Sequence, residues 1–225
     1  MNALHPIKIC GLTRESDVLN CVKHGVNALG FVLYEPSPRY VSPTRAAELA
    51  SLLPAFVSPV LLFVNASAQT VAEAAKLVPG AWLQFHGDES PQFCEDLASQ
   101  LGRRWIKAIR IPTNLQETSQ GRDKLRDEIV KYAKAYQNAH ALLLDTWVAE
   151  YGGSGTSFDW SVVPDALDVH LIVSGGLNPQ NVRHAIETLS PRVRTLSVDV
   201  SSGVEESKGI KQASLIEAFT AAVRS

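Results

Sequence analysis

The segment His170-Leu171-Ile172-Val173-Ser174-Gly175-Gly176-Leu177-Asn178-Pro179 contains a strand, a turn and the start of a helix. The apolar run His170–Ser174 predicts a buried strand, and a glycine turn follows it. Asn178-Pro179 then places an N-cap residue before a proline at the first helical position, so Pro179–Leu189 is predicted to be a helix. A strand, a tight turn and a helix in this order form the repeating unit of a parallel α/β protein.

The same alternation extends over the whole chain of 225 residues. The predicted strands are Ile7–Cys10, Ala28–Leu33, Val57–Phe63, Trp82–His86, Trp105–Ile109, Ala141–Asp145, His170–Ser174 and Thr195–Val200. The predicted helices are Glu15–His24, Pro43–Leu53, Gln69–Leu77, Pro91–Leu101, Arg122–Ala135, Pro179–Leu189 and Ile210–Val223, with a short one in Phe158–Val163. Ser42-Pro43 and Ser90-Pro91 mark two helix starts in the same way as Asn178-Pro179.

Eight strand–helix units predict an α/β protein of the (β/α)8 TIM barrel class, with a closed parallel sheet. No linker interrupts the pattern, so one catalytic domain is predicted over residues 1–225. An open doubly wound sheet is the alternative. It usually carries a Gly-x-Gly-x-x-Gly turn after an early strand, and this sequence has none.

The composition is typical of a soluble globular protein. Hydrophobic residues make up 45%, charged residues 20%, and the net charge is -2. No basic stripe suggests a nucleic-acid partner, and no apolar run is long enough for a membrane span. The cysteines Cys10, Cys21 and Cys94 lack metal-ligand or redox spacing. Together with the lack of a secretory signal, these features predict a cytoplasmic protein without a metal; the oligomeric state stays open.

The barrel prediction selects candidate site residues, because such barrels place their site at the C-terminal ends of the strands. Glycine-rich turns after strands six, seven and eight predict a phosphate site, since glycine lets successive backbone N–H groups approach an anion. These turns contain Gly153, Ser154 and Gly155, then Gly175 and Gly176, then Ser201, Ser202 and Gly203. Other polar side chains at strand ends are Cys10, Arg39, Asn65, His86, Arg110, Asp145, Ser174 and Asp199.

Cys10 and Asp145 are candidates for a base and an acid that face one substrate. Phosphate held after strands seven and eight would place a sugar between them, because those strands fill the arc from strand six to strand one. Lys8 points to the same side as Cys10 and would favour the thiolate, with Asp199 as its counterion. The alternatives are that Cys10 only packs in the core, that Asp145 is an N-cap, and that His86 ties its loop to the barrel.

Several segments resemble those of the phosphoribosylanthranilate isomerase family. The resemblance runs nearly end to end and rests on Lys8–Thr13, Ser37–Val41, Leu83–Gly87, Leu144–Thr146, Gly152–Gly155, Ser174–Pro179 and Asp199–Glu205. It implies a cofactor-free barrel enzyme of tryptophan biosynthesis, which performs the Amadori rearrangement of N-(5-phosphoribosyl)anthranilate. It further implies that Cys10 is the general base, that Asp145 is the general acid and that Arg39 contacts the anthranilate carboxylate. Two departures are Ser154, where the family often has Thr, and Lys208-Gly209, where Pro-Gly is usual and the loop should be looser.

The chemistry suits these residues. Asp145 would protonate the furanose oxygen as the ring opens, and Cys10 thiolate would then remove the proton made acidic by the Schiff base. Burial or the substrate's negative charges would have to keep Asp145 protonated near neutral pH. His86 and the glycine loops are predicted to bind the substrate. Two other functions stay open: the histidine-pathway Amadori isomerase, which would have an aspartate in place of Cys10, and a non-enzymatic sensor of a phosphorylated metabolite.

Overall fold

The fold is a closed barrel of eight parallel strands. The computed structural model describes residues 5–112, 114–147 and 158–225. Each strand pairs with the next in the chain, and β8 pairs with β1, which confirms the predicted closed sheet and shows that the open sheet is wrong. The strands are β1 (Ile7–Cys10), β2 (Ala28–Val32), β3 (Ser58–Phe63), β4 (Trp82–Phe85), β5 (Trp105–Pro112), β6 (Ala141–Trp147), β7 (Leu167–Val173) and β8 (Val193–Val200).

Helices connect most strands and cover the outside of the barrel. They are α1 (Glu15–Lys23), α2 (Pro43–Ala50), α3 (Ala68–Leu77), α4 (Pro91–Gln100), α5 (Ser119–Ala135), α6 (Val182–Leu189) and α7 (Ala213–Arg224). The side chains of Ser42 and Ser90 accept the N–H groups of Arg45 and Phe93, which confirms both predicted N-caps. Trp160–Val162 is a 3-10 helix, which agrees with the short helix predicted in Phe158–Val163.

Three predicted helix starts are wrong. Helix α5 begins at Ser119 and not at Arg122, because the side chain of Thr118 accepts the N–H group of Gly121 and caps the helix earlier. Helix α6 begins at Val182, because the side chain of Asn178 accepts the N–H groups of Gln180 and Asn181 and forms a turn before the helix. Ile210 and Lys211 are not helical but form β10, which pairs with β9 (Glu205–Ser207) in a short hairpin. Helix α7 starts only at Ala213.

The sequence predicted that Asp145 is the last residue of its strand, and this is wrong. β5 and β6 pair as far as Pro112 and Trp147, so β6 continues for two residues beyond Asp145. A residue inside a strand cannot cap a helix, and the N-cap alternative for Asp145 is therefore wrong.

The side chains of each strand alternate between the inside of the barrel and the layer under the helices. A cluster of buried side chains from β3, β5, β6 and β7 fills the inside; it contains Val60, Ile106, Ala108, Ala141, Leu143 and Ile172. The neighbouring positions, such as Leu61 and Leu144, belong to the larger cluster that also includes helix residues. Within the described residues, no helix is long and apolar enough to span a membrane.

Candidate active site

Cys10 lies inside the barrel at the C-terminal end of β1. It packs against Val32 and Leu62, and it is only 5% exposed. Gly30 on β2 leaves room for the thiol, because a Cβ there would lie 2.6 Å from Sγ of Cys10. Burial raises the pKa of the Cys10 thiol, and the nearby Lys8 charge opposes this without cancelling it.

Lys8 and Asp199 form the ion pair that the sequence predicted. They face each other in the register of β1 and β8, and Nζ lies 2.9 Å from Oδ1 of Asp199. Ser174 donates to the other carboxylate oxygen at 3.3 Å. Burial disfavours the Lys8 charge, but Asp199 and Cys10 outweigh burial, so the pKa of Lys8 is raised. A permanent cation therefore lies one pleat below the thiol.

Removing the Lys8 charge should move the thiol titration. The Lys8 charge lowers the pKa of the Cys10 thiol, which burial raises. Without this cation the pKa should rise further, so the thiolate should form only at higher pH. Lys8→Met alone would leave Asp199 buried without its partner, at a cost of about 3–5 kcal/mol. The double variant Lys8→Met, Asp199→Asn removes both charges, and Lys8 has the larger influence on the thiol. Thiolate absorbance, taken as the difference from Cys10→Ala, measures the shift. An unchanged titration would contradict this role.

Asp145 contacts His86 inside the barrel. Asp145 follows the interior residue Leu143 by two positions on β6, and its Oδ2 lies 3.1 Å from Nε2 of His86. The other ring nitrogen, Nδ1, lies 3.0 Å from Nε2 of Gln84 on β4. The Asp145 side chain is 27% exposed and that of His86 13%, so the carboxyl group is open to the barrel mouth. His86 is therefore part of a polar chain to Asp145 rather than a loop tie.

Arg39 reaches the same rim from the loop after β2. Its guanidinium makes a bidentate pair with Glu205, with both N–O distances at 2.7 Å. Burial opposes its charge, but Glu205, Cys10 and Asp145 outweigh burial and raise the pKa of Arg39. The guanidinium therefore interacts electrostatically with both proposed catalytic groups.

Lys211 was missed by the sequence analysis and completes this cluster. Its buried Nζ donates to Glu205 at 2.9 Å and to the carbonyl oxygen of Ser201 at 3.0 Å. Ser201 in turn donates to the carbonyl oxygen of Cys10 at 3.0 Å. Arg39 and Lys211 share the Glu205 carboxylate, but burial outweighs this carboxylate and lowers the pKa of Lys211, whereas the pKa of Arg39 is raised. The guanidinium of Arg39 is therefore the group that suits an anionic ligand.

The sequence predicted a loose loop at Lys208-Gly209, but the structure has a well-anchored turn there. Gly209 has a positive φ of 81° and accepts a hydrogen bond from Thr13 at 2.7 Å. This contact holds the β9–β10 hairpin over the rim and carries Lys211 into the site. The sequence signal for this hairpin is Gly209 itself, because glycine readily adopts the positive φ that short hairpin turns require.

The glycine turns after β7 and β8 lie against each other. A Cβ at Gly203 would lie 1.9 Å from the carbonyl oxygen of Leu177, and one at Gly175 would lie 2.3 Å from the backbone nitrogen of Thr146. Gly175 and Gly176 also have positive φ values of 79° and 68°. Ser202 and Gly203 begin the 3-10 helix Ser202–Val204. The predicted Gly153, Ser154 and Gly155 lie outside the described residues.

Other candidate residues serve the surrounding loops. The backbone N–H of Asn65 donates to Glu89 at 2.8 Å, and Arg110 donates to Asp88 at 3.0 Å, which links the loops after β3 and β4 to each other and to β5. Cys21 is fully buried, and burial raises its pKa to about 12, as expected of a core thiol. Among the described residues, no group of three or more His, Cys, Asp or Glu side chains could hold a metal ion.

Comparisons with known proteins agree on one family. The family model of N-(5′-phosphoribosyl)anthranilate (PRA) isomerase matches residues 7–222. A relative from Dechloromonas aromatica (strain RCB), N-(5′-phosphoribosyl)anthranilate isomerase, is 48% identical over 97% of this chain and 95% of its own length. The crystal structure of phosphoribosyl anthranilate isomerase from Thermotoga maritima is 35% identical, covers 98% of both chains and has a TM-score of 0.78. A structure of this isomerase with reduced 1-(o-carboxyphenylamino)-1-deoxyribulose 5-phosphate is 32% identical over 98% of both chains, with a TM-score of 0.74.

Proposed function

This chain belongs to the N-(5′-phosphoribosyl)anthranilate isomerase family, and on that premise we propose that Cys10 and Asp145 catalyse its reaction. The reaction is the Amadori rearrangement of N-(5′-phosphoribosyl)anthranilate to 1-(o-carboxyphenylamino)-1-deoxyribulose 5-phosphate, a step of tryptophan biosynthesis. The observation that carries the proposal is the position of a buried thiol and a carboxyl group on the inside of one barrel. The charges of both groups raise the pKa of Arg39. A thiolate can act as the base and a carboxylic acid as the acid that this rearrangement needs.

Asp145 and Cys10 each make one proton transfer in the rearrangement. Asp145 gives a proton to the furanose oxygen, the ring C–O bond breaks, and the nitrogen lone pair forms a Schiff base with the anomeric carbon. Cys10 thiolate then removes the proton from the adjacent carbon, whose electrons neutralise the Schiff base and give an enolamine. The enolamine becomes the ketose when the former anomeric carbon takes up a proton and the hydroxyl group on the adjacent carbon loses one, so the net proton count is unchanged. No electrons leave the substrate, so the step needs no redox partner.

The substrate's anionic ends match the charges at the rim. The turns after β7 and β8 would hold the phosphate, since backbone N–H groups at such turns bind anions. Gly175, Gly176, Ser201, Ser202 and Gly203 therefore stay proposed phosphate ligands, together with Gly153, Ser154 and Gly155. Arg39 would bind the anthranilate carboxylate with the donors that Glu205 leaves over, since a guanidinium has five.

Arg39→Ala should weaken binding of the carboxylate. We expect KM to rise roughly 10- to 100-fold with a smaller change in kcat, because a hydrogen-bonded charge pair is lost. Arg39→Lys keeps the positive charge but not the forked guanidinium, so its KM should lie between those of the wild type and Arg39→Ala. A product analogue that lacks the carboxylate should bind the wild type and Arg39→Ala equally well. An unchanged KM in Arg39→Ala would remove this role.

Growth of a tryptophan auxotroph that lacks this isomerase tests the function as a whole. The wild-type chain should restore growth without tryptophan, and Cys10→Ala should not. A sensor would instead bind the phosphorylated ligand and give no growth with either chain. The single catalytic domain over residues 1–225, the cytoplasmic location and the absence of a nucleic-acid partner stay predictions from the sequence.

A further inference from the structure

Gln84, His86 and Asp145 form a chain of hydrogen bonds that crosses the inside of the barrel. Gln84 and His86 are separated by two positions, so their side chains share the interior face of β4. The backbone N–H of His86 donates to Phe63 at 2.8 Å and continues the pairing of β4 with β3. This pairing holds the imidazole between Nε2 of Gln84 at 3.0 Å and Oδ2 of Asp145 at 3.1 Å.

The contact with Gln84 decides where the imidazole carries its proton. The amide nitrogen of Gln84 faces Nδ1 of His86, and an amide nitrogen donates hydrogen bonds and cannot accept them, so in this orientation of the amide Nδ1 is the acceptor. The proton of a neutral imidazole then lies on Nε2, from which it is donated to Oδ2 of Asp145. Gln84 therefore selects one tautomer of His86.

The surroundings of Gln84 are independent evidence that its amide group does not serve to stabilise the fold. The side chain is fully buried, and its Oε1 has no hydrogen-bond partner within the described residues. A buried carbonyl oxygen without a partner costs stability, and an apolar side chain of similar size would avoid that cost. The directed contact with His86 is what the amide contributes at this position.

We propose that His86 is a positioning residue for Asp145, kept in its Nε2–H tautomer by Gln84. The sequence assigned His86 to substrate binding; the geometry points to the acid instead. Because Oδ2 accepts the hydrogen bond from His86, the proton of a neutral Asp145 lies on Oδ1. The same hydrogen bond stabilises the carboxylate that remains after the proton has moved to the substrate. This inference rests on the proposed role of Asp145 in the isomerase reaction.

Two substitutions of His86 separate positioning from substrate contact. His86→Met has a similar volume but no donor, and should lower kcat about 10²-fold with KM changed less than about threefold. His86→Gln places an amide N–H near the site of Nε2 and should recover most of that loss. His24→Met, on the C-cap of α1, is the matched control and should leave kcat unchanged. Equal losses in both His86 variants, or a rise in KM alone, would overturn the proposal.

The tautomer can be observed without any turnover. In 15N-labelled protein, the NMR signals of His86 should show Nε2 protonated and Nδ1 unprotonated. Gln84→Glu offers an acceptor in place of the amide donor, so Nδ1 should become protonated and kcat should fall. A wild-type ring protonated at Nδ1 would contradict the assignment to Gln84. These spectra do not depend on catalysis, so they test the tautomer even if the enzyme is inactive. Failure of the wild-type chain to convert N-(5′-phosphoribosyl)anthranilate would instead refute the proposed function.

Discussion

Cys10→Ala should abolish nearly all turnover, with kcat reduced about 10³- to 10⁴-fold and KM changed little. The variant loses the base that removes the carbon-bound proton, while Arg39 and the glycine turns still bind the substrate's anionic ends. Cys10→Ser should be almost as slow, because a hydroxyl group is a far poorer source of the anion at neutral pH than a thiol. Single-turnover conversion with excess enzyme measures the loss independently of product release.

Cys21→Ala is the matched control for this result. Cys21 is a buried thiol on α1, so its replacement also removes a buried sulfur without touching the barrel interior. It should lower the thermal unfolding midpoint and leave kcat near that of the wild type. Near-normal turnover in Cys10→Ala would show that Cys10 only packs in the core.

Asp145→Asn should lower kcat by about 10³-fold. The amide occupies the same volume and its oxygen still accepts from Nε2 of His86, so the site should keep its shape. It has no acidic proton for the furanose oxygen, and the ring should stay closed. The double variant with Cys10→Ala should be little slower than either single variant, because the two groups act in one sequence.

Asp168→Asn makes the same change at the opposite end of the barrel. Asp168 lies near the start of β7, is largely exposed and pairs with Arg194 at 3.4 Å. An exposed pair of this kind contributes little, so both stability and kcat should be nearly unchanged. If Asp145→Asn behaved like Asp168→Asn, Asp145 would not be the acid.

The strands could be predicted because apolar side chains must fill both faces of a buried parallel sheet. The order of eight such runs then placed Cys10, Asp145, Asp199 and the glycine turns on one rim, and the Lys8–Asp199 pair followed from side-chain alternation. In each case a residue's position depended on its own strand and on the strand paired with it.

The features that could not be predicted depend on contacts between distant or polar segments. The hairpin that carries Lys211 has few apolar residues and therefore no clear period, so the sequence alone predicts a helix that begins at Ile210. The bond from His86 to Asp145 joins β4 and β6, which do not pair with each other. Burial, which only the packed structure reveals, outweighs Lys8 and raises the pKa of the Cys10 thiol.

The most direct test of Cys10 as the base follows a single labelled proton. The substrate carries deuterium on the sugar carbon next to the anomeric carbon, and mass spectrometry follows its loss during a single turnover with excess enzyme. We expect the wild type to release the deuterium as the ketose forms, and Cys10→Ala to retain it in unconverted substrate at occupancies that saturate the site. Release of deuterium by Cys10→Ala at the wild-type rate would contradict the assignment of Cys10 as the group that removes this proton.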